Sequence, residues 1–210
     1  MTEPVLEAID VAKHFAVANA VGDSSVVRAV EGASIRLEPG RITAVVGESG
    51  SGKTTLARLL ARFYEPTSGE IRLDGVTVAG DGVRRRAVQK SYRKSVQLIF
   101  QDPFGSLNPL HRVRHNLDRA VRLHHGRLGK AELDERVTAL LERVSLTPAS
   151  DYIDKFPHEL SGGQRQRVVI ARALAVEPRV LLGDEPISML DVSIRLEMLN
   201  LLDRLRREDG

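Results

Sequence analysis

A glycine-rich stretch in the first quarter of the chain has the composition of a phosphate-binding loop. Residues 47–54 read Gly-Glu-Ser-Gly-Ser-Gly-Lys-Thr, which fits the P-loop pattern G-x-x-x-x-G-K-[ST]. The apolar run Ile42–Val46 before it predicts a strand, and we expect a helix to begin at about Gly52. Glycines let the backbone aim successive N–H groups at phosphate oxygens, and a helix N-terminus adds about half a positive charge. The stretch therefore predicts a nucleotide phosphate site.

The end of this stretch also carries side chains suited to a nucleotide bound with magnesium. Lys53 is placed to reach the β- and γ-phosphates, and the Thr54 hydroxyl is placed to bind Mg²⁺. Thr55 lies close enough to contact the α-phosphate. The residues that we assign to phosphate binding are Gly47, Glu48, Ser49, Gly50, Ser51, Gly52, Lys53, Thr54 and Thr55.

The composition is that of a globular domain, and it excludes some other chemistries. The 210 residues are enough for one large domain, or for one domain with an inserted subdomain. Cysteine is absent, which excludes disulfides and thiolate metal sites. Aromatic residues make up only 4% and tryptophan is absent, so a base-stacking platform for single-stranded nucleic acid is a poor fit. The net charge of +3 suits nucleic acid, an anionic membrane face or a nucleotide equally.

The sequence contains no pattern typical of a membrane span or an export signal. No apolar run approaches the about 20 residues that a transmembrane helix needs. The first four residues, Met-Thr-Glu-Pro, are polar and acidic rather than the start of a signal peptide. We therefore expect a cytoplasmic protein.

Hydrophobic patterning predicts strands in the first half of the chain. Residues 4–46 predict β-structure broken by turns, and residues 70–78 predict a hairpin around Asp74-Gly75. Val96–Phe100 predicts a further strand. We expect this part to contain an antiparallel β subdomain beside the phosphate loop.

From Asp102 onward the patterning is mostly helical, and we interpret residues 102–159 as an inserted helical subdomain. An apolar stripe at helical spacing is formed by Leu133, Val137, Leu140, Leu141 and Val144. The rest of the chain predicts a helix, a short buried strand and a second helix, over residues 165–175, 180–182 and 194–205. Strands that alternate with helices around a phosphate loop imply a parallel α/β sheet.

A second phosphate nest is predicted at Leu160–Arg167, which reads Leu-Ser-Gly-Gly-Gln-Arg-Gln-Arg. Ser161 is a good helix N-cap, and the two glycines after it allow close backbone approach. The octet matches the LSGGQ signature of ATP-binding cassette (ABC) ATPases, which the chain resembles over about residues 5–207. The resemblance implies a P-loop NTPase (RecA-like) fold, with a parallel sheet core, an N-terminal antiparallel β subdomain and an inserted helical subdomain. It makes residues 1–210 a single nucleotide-binding domain, whose ATP-binding core comprises residues 1–101 and 160–210.

The other motifs of the ABC family follow in the expected order. Asp184 and Glu185 leave the end of the strand at 180–182, where ligands bind in such sheets. By resemblance, Asp184 holds Mg²⁺ through water, and Glu185 polarises the attacking water as general base. Gln101 resembles the glutamine that senses Mg²⁺ and the γ-phosphate.

Further roles come from the same resemblance. Asp191 matches the D-loop, which contacts the P-loop of a partner subunit. Phe15 lies where the family keeps an aromatic for adenine stacking, although it fits a core aromatic equally well. The signature residues assigned to nucleotide binding are Ser161, Gly162, Gly163 and Gln164, of which Ser161 and Gly163 serve the γ-phosphate of the partner subunit's nucleotide.

Residues 100–109 and 190–195 are similar to the ATPases of oligopeptide, dipeptide and nickel importers. The similarity implies a subunit that binds ATP and Mg²⁺, hydrolyses the ATP and energises an importer, with peptides as the favoured solute. It implies as partners a second nucleotide-binding subunit, integral membrane permeases and, indirectly, a solute-binding protein, with the chain peripheral on the inner face of the membrane. One alternative is a soluble ABC ATPase acting on nucleic acid or the ribosome, but the coiled coils or zinc motifs of such proteins do not occur here, and we expect no nucleic acid partner.

The chain departs from the family pattern at two places. Ile187 and Met189 replace Thr and Ala beside the D-loop, and no histidine follows Asp191, so the switch histidine of the family is absent. We therefore expect a truncated cassette whose sheet has an unpaired edge. The second alternative is accordingly a chain that binds ATP but hydrolyses it poorly.

Overall fold

The computed structural model describes residues 3–18, 24–80 and 91–209. They divide into two units, with the boundary between Val96 and Gln97. Each unit contains its own set of predicted site residues, and each is described by itself.

The first unit contains an antiparallel sheet of four strands in the order β2-β1-β3-β4. The strands are β1 (Leu6–Ala18), β2 (Ser24–Leu37), β3 (Ser68–Leu73) and β4 (Val76–Ala79). Leu6 is fully buried and pairs with Leu37 on one side and Leu73 on the other. β3 and β4 are joined by Asp74 and Gly75, whose φ angles of 50° and 72° suit a tight hairpin turn. The predicted hairpin is therefore confirmed.

The first unit also contains helix α1 (Lys53–Leu60), and residues 91–95 are helical. The predicted strand at Ile42–Val46 is wrong for this structure, because no strand in the described ranges pairs with that segment. Ile42 and Val46 are 63% and 88% exposed. An apolar run forms a strand only where a neighbouring strand pairs with its backbone N–H and C=O groups. Without such a neighbour, Ile42 and Val46 are not packed into a sheet and stay exposed to solvent.

The second unit combines two strands with a set of helices. β5 (Val96–Ile99) and β6 (Val180–Gly183) form a parallel pair. The Asp184 N–H donates to the Ile99 carbonyl at 3.0 Å, so the carboxyl ends of both strands meet at one edge. The helices are α2 (Pro103–Ser106), α3 (Val113–His125), α4 (Lys130–Arg143), α5 (Ser150–Ile153), α6 (Gly162–Leu174) and α7 (Val192–Asp209), with a 3₁₀ turn at Pro157–Glu159.

The core of the second unit lies where α3, α4 and α6 pack together. Leu117, Leu141 and Ile170 contribute fully buried side chains from these three helices. The apolar stripe predicted for α4 is buried along its length, from Leu133 to Val144. Burial of each such side chain contributes about 1.5–3 kcal/mol, which makes this packing the main support for the elements around it. Among the helices of the described ranges, none is long and apolar enough to cross a bilayer.

Candidate nucleotide-binding site

The phosphate loop of the first unit depends on glycine at Gly50 and Gly52. Their φ angles are 82° and 90°, in the left-handed region that other residues avoid. A Cβ on Gly52 would lie 2.2 Å from the carbonyl oxygen of Ala29 in β2. The loop therefore runs so close to the sheet that only glycine fits at position 52.

Helix α1 begins directly after this loop, as predicted, with Gly52 in the N-cap position. No described side chain caps the helix, and its first turn contains no acidic residue. The N–H groups of the first turn have no helical carbonyl to bind, and they carry the positive end of the helix dipole. This end of α1 is suited to bind an anion.

The Lys53 ammonium lies against the phosphate loop. Its Nζ donates to the carbonyl oxygens of Gly47 at 2.8 Å and Glu48 at 2.6 Å, in a solvent-exposed position. The cation is thus held beside the same loop whose backbone suits phosphate oxygens. The described geometry fits a triphosphate, because positive charge and N–H donors occupy one short segment.

Phe15 is half-buried on β1, opposite Val27 of β2. Its ring packs edge to face on Tyr64, with the centroids 5.2 Å apart and an interplanar angle of 82°. The Lys13 Nζ lies 5.2 Å from the centroid of the Phe15 ring. Phe15 therefore belongs to a small aromatic and cationic group, and its adenine-stacking role stays a prediction.

In the second unit, the structure brings together Gln101, Glu185 and Ser188. The Gln101 Nε2 donates to the Glu185 Oε2 at 3.1 Å and to the Ser188 Oγ at 3.2 Å, although Gln101 and Glu185 are 84 residues apart. Gln101 follows β5 and Glu185 follows β6, so the pairing of the two strands makes these residues neighbours.

Asp184 and Glu185 have different surroundings although they are adjacent in sequence. Asp184 is 6% exposed, whereas Glu185 is exposed and has a φ of 49°. The left-handed backbone conformation of Glu185 costs about 1–2 kcal/mol and turns the chain back on itself. The turn is stabilised by the Ser188 N–H, which donates to the Glu185 carbonyl at 3.1 Å. Carboxylate and amide oxygens are the ligands that Mg²⁺ prefers, so the donor set fits that ion.

Ser161 is the N-cap of α6, as predicted. The Gln164 N–H donates to the Ser161 Oγ at 3.2 Å, and the Ser161 N–H donates to the Gln164 Oε1 at 3.0 Å, which forms a capping box. The helix begins at Gly162, three residues before the range 165–175 that hydrophobic patterning predicts. The glycines that follow the cap are therefore helical rather than part of the preceding turn.

Gly163 brings the first turn of α6 against α7. A Cβ on Gly163 would lie 2.7 Å from the Ile194 Cγ2, and one on Gly162 would lie 3.7 Å from the Leu190 Cδ2. The signature glycines thus have a packing role within their own unit. Asp191, assigned to the D-loop, is exposed, and its carbonyl accepts from the Arg195 N–H at 2.9 Å where α7 begins.

Arg195 has a positioning role that was not predicted from the sequence. Its Nε donates to the Leu190 carbonyl at 2.7 Å, and its Nη2 donates to the Ser188 carbonyl at 3.2 Å. The guanidinium holds the turn that carries Ser188 and Asp191. The sequence signal for this role is the place of Arg195 in the first turn of α7, the helix that comes after Asp184 and Glu185 in the chain.

Comparisons with known proteins agree with this description. A family model described as ABC transporter matches residues 30–188. The chain is 41% identical over 208 residues to the oligopeptide transport ATP-binding protein AppF of Bacillus subtilis (strain 168), covering 98% of this chain and 62% of that protein. It is 40% identical over 211 residues to the dipeptide transport ATP-binding protein DppF of Escherichia coli (strain K12), covering 100% of this chain and 61% of that protein.

Solved structures give the same result for the fold. The ATP-binding cassette MJ0796, in a dimeric post-hydrolysis state bound to ADP and Pi, has a TM-score of 0.82 at 27% identity, covering 98% of this chain and 84% of that chain. CbiO1 from Clostridium perfringens, part of the ABC transporter complex cbiONQ, has a TM-score of 0.80 at 28% identity, covering 98% and 75%. These likenesses confirm the predicted P-loop NTPase fold class.

The chain spans about three fifths of the length of the curated relatives it matches. The family model nevertheless covers most of the chain, from β2 to the turn after β6. The chain therefore belongs to the ABC transporter family.

Proposed function

We propose that this chain binds ATP with Mg²⁺ and hydrolyses the ATP, as the subunit that energises an importer of peptides. The conformation of the phosphate loop carries the proposal. Gly52 is pressed against the Ala29 carbonyl at the start of a helix that no described side chain caps, with Lys53 beside it. This arrangement is suited to a polyphosphate.

In this proposal, phosphate binding belongs to the first unit. The N–H groups of the loop and of the first turn of α1 donate to phosphate oxygens, and Thr55 contacts the α-phosphate. Lys53 turns its ammonium from the carbonyls of Gly47 and Glu48 to the β- and γ-phosphates. Phe15 stacks on the adenine.

The metal ligands are proposed from their oxygen donors. They are the Thr54 hydroxyl, the Asp184 carboxylate and the Gln101 amide oxygen. Because the Gln101 Nε2 donates to Glu185, its Oε1 is the atom suited to a cation. Bound Mg²⁺ would neutralise charge on the β- and γ-phosphate oxygens.

Glu185 is the proposed general base. Its carboxylate is exposed and is oriented by the hydrogen bond from Gln101. In that role it takes a proton from the attacking water, while the left-handed turn at Glu185 and the hydrogen bonds of Ser188 keep it in place. By resemblance to the family, we assign catalytic roles to Glu185, Lys53 and Gln101.

The transport role rests on the relatives and on the signature. The relatives named above are oligopeptide and dipeptide transport ATP-binding proteins. We propose that Ser161, Gly162, Gly163, Gln164 and Asp191 face the nucleotide of a second cassette, identical or related. Permeases would then hold the pair on the cytoplasmic face of the membrane, with a solute-binding protein as an indirect partner.

Nucleotide titration of the 210-residue chain tests the binding step. Lys53→Ala should weaken ATP binding at least tenfold, since charge-assisted hydrogen bonds to phosphate are lost. Lys130→Ala, which changes an exposed lysine at the start of α4, is the matched control and should bind normally. An unchanged affinity in Lys53→Ala would contradict the phosphate-loop assignment.

Turnover tests the chemical step. Glu185→Gln should retain nucleotide and lose hydrolysis about 10²–10⁴-fold, the range expected for loss of a general base. Glu135→Gln on the exposed face of α4 is the control. Comparable turnover in the two variants would contradict the assignment of Glu185 as general base.

Co-purification tests the transport role. Recovery of the chain with two integral membrane proteins would support transport, whereas salt-sensitive retention on DNA would support the nucleic acid alternative.

A further inference from the structure

Three side chains that can bind a metal converge in the second unit, and none of them is among the residues assigned to nucleotide. They are His124 and His125 at the end of α3 and Glu177 in the turn after α6. The His124 Nε2 lies 3.4 Å from the Glu177 Oε2, and the His125 Nε2 lies 3.4 Å from the Glu177 Oε1. We call this group the His-His-Glu cluster.

The packing of α3 on α6 positions the cluster. Val121 and Leu174 are buried in the shared core, one turn from the cluster on each helix. Helix α3 ends at His125, where Gly126 has a φ of 80°. Glu177 has a φ of 50°, and its N–H donates to the Leu174 carbonyl at 2.9 Å. Two helix ends therefore present the three side chains from fixed backbone positions.

The two imidazoles face different oxygens of the Glu177 carboxylate, at separations longer than direct charge-assisted hydrogen bonds and close to the spacing of ligand atoms around one metal. A charge-assisted hydrogen bond between imidazole and carboxylate has a length of about 2.7–2.9 Å. The two observed separations are 3.4 Å. Zinc bonds of about 2.0–2.1 Å in tetrahedral geometry place neighbouring ligand atoms about 3.3 Å apart. One ligand atom from each of the three residues lies within 4.8 Å of the others.

We propose that the His-His-Glu cluster binds Zn²⁺ or a similar divalent transition metal. Two imidazoles and one carboxylate are a known zinc ligand set, with water in the fourth position. Binding would link the end of α3 to the turn that follows α6, which carries the signature at its other end. This metal is distinct from the Mg²⁺ of the proposed nucleotide site.

Arg136 gives the proposal a distinctive consequence. Its Nη1 lies 3.2 Å from the His125 Nε2, where it competes for the lone pair that a metal needs. The same guanidinium donates to the Glu132 Oε1 through Nε at 3.3 Å and through Nη2 at 3.2 Å. Metal binding must displace Arg136 from His125 and place two positive charges close together. Removal of this arginine should therefore strengthen metal binding.

The test is a Zn²⁺ titration of the untagged 210-residue chain against a chromophoric chelator. We expect one site with a dissociation constant in the micromolar range or below. The double variant His124→Ala/His125→Ala should lose zinc binding, and Glu177→Gln should weaken the zinc affinity at least tenfold. Even the loss of a residue that only hydrogen-bonds to a metal ligand lowers metal affinity by about 10–100-fold. Arg136→Gln should bind Zn²⁺ several-fold more tightly, a gain that misfolding cannot produce.

A second histidine pair supplies the matched control. His111 precedes α3 and His115 lies in its first turn, with the ring centroids 4.0 Å apart. Because neither residue belongs to the His-His-Glu cluster, removal of both should leave the zinc affinity unchanged. X-ray absorption should show only nitrogen and oxygen ligands at about 2.0–2.1 Å. Loss of the site in His111→Ala/His115→Ala, millimolar affinity in the unmodified chain, or weaker binding by Arg136→Gln would overturn the proposal. ATP binding by His124→Ala/His125→Ala should be normal, which keeps this test separate from that of the proposed function.

Discussion

Replacement of Gly52 by alanine tests whether the phosphate loop is held by its contact with the sheet. Two costs add up in Gly52→Ala. An alanine at a φ of 90° costs about 1–2 kcal/mol, because its Cβ crowds its own backbone. Its Cβ would also lie 2.2 Å from the Ala29 carbonyl oxygen, more than 1 Å inside the about 3.3 Å that such a contact needs. Relief of this overlap costs about 1–3 kcal/mol.

Gly52→Ala should therefore lower the free energy of unfolding by about 2–5 kcal/mol, a large share of the about 5–15 kcal/mol that stabilises a typical domain. Gly50→Ala separates the two costs. Gly50 has a similar φ of 82°, but a Cβ there would meet nothing within 4 Å. Gly50→Ala should therefore lower the free energy of unfolding only by the cost of the left-handed backbone, about 1–2 kcal/mol.

Urea unfolding followed by far-ultraviolet circular dichroism measures both variants, with nucleotide binding measured on the same samples. Gly52→Ala should unfold at the lower urea concentration and bind ATP more weakly than Gly50→Ala. Equal free energies of unfolding for the two variants would refute the argument, because the clash with Ala29 would then contribute nothing.

Two further predictions concern the second unit. Gln101→Ala removes the hydrogen bonds to Glu185 and Ser188, together with the amide oxygen proposed as a ligand of Mg²⁺, so steady-state ATP hydrolysis should fall at least tenfold. Unaltered turnover would contradict the proposed role of Gln101. Ser161→Ala removes the N-cap of α6 and its hydrogen bond with the Gln164 N–H, so thermal unfolding should show a loss of about 0.5–2 kcal/mol. A melting temperature equal to that of the unmodified chain would show that the capping box contributes no stability.

Several features could be predicted because they depend on a few consecutive residues. The Asp74-Gly75 turn, the start of α1 after Gly52 and the N-cap at Ser161 follow from local backbone preferences. The buried stripe of α4 follows from helical periodicity. Family membership could also be read from short motifs, since each is a local segment with its own chemistry.

The segment Ile42–Val46 shows where local reasoning fails. Its β-branched, apolar composition predicts a strand, but a strand exists only when another strand accepts and donates its hydrogen bonds. No strand in the described ranges does so, and Val46 is 88% exposed. The outcome depends on a partner that the segment itself does not encode.

The sequence by itself determined the phosphate loop, the signature and the family, because their chemistry lies in contiguous residues. Only the tertiary structure decided that Gln101 meets Glu185 across 84 residues and that Gly163 packs on Ile194. The same holds for the approach of His124 and His125 to Glu177. Such contacts arise when strands pair and helices pack, and the energy of that packing belongs to the assembled core rather than to any one segment.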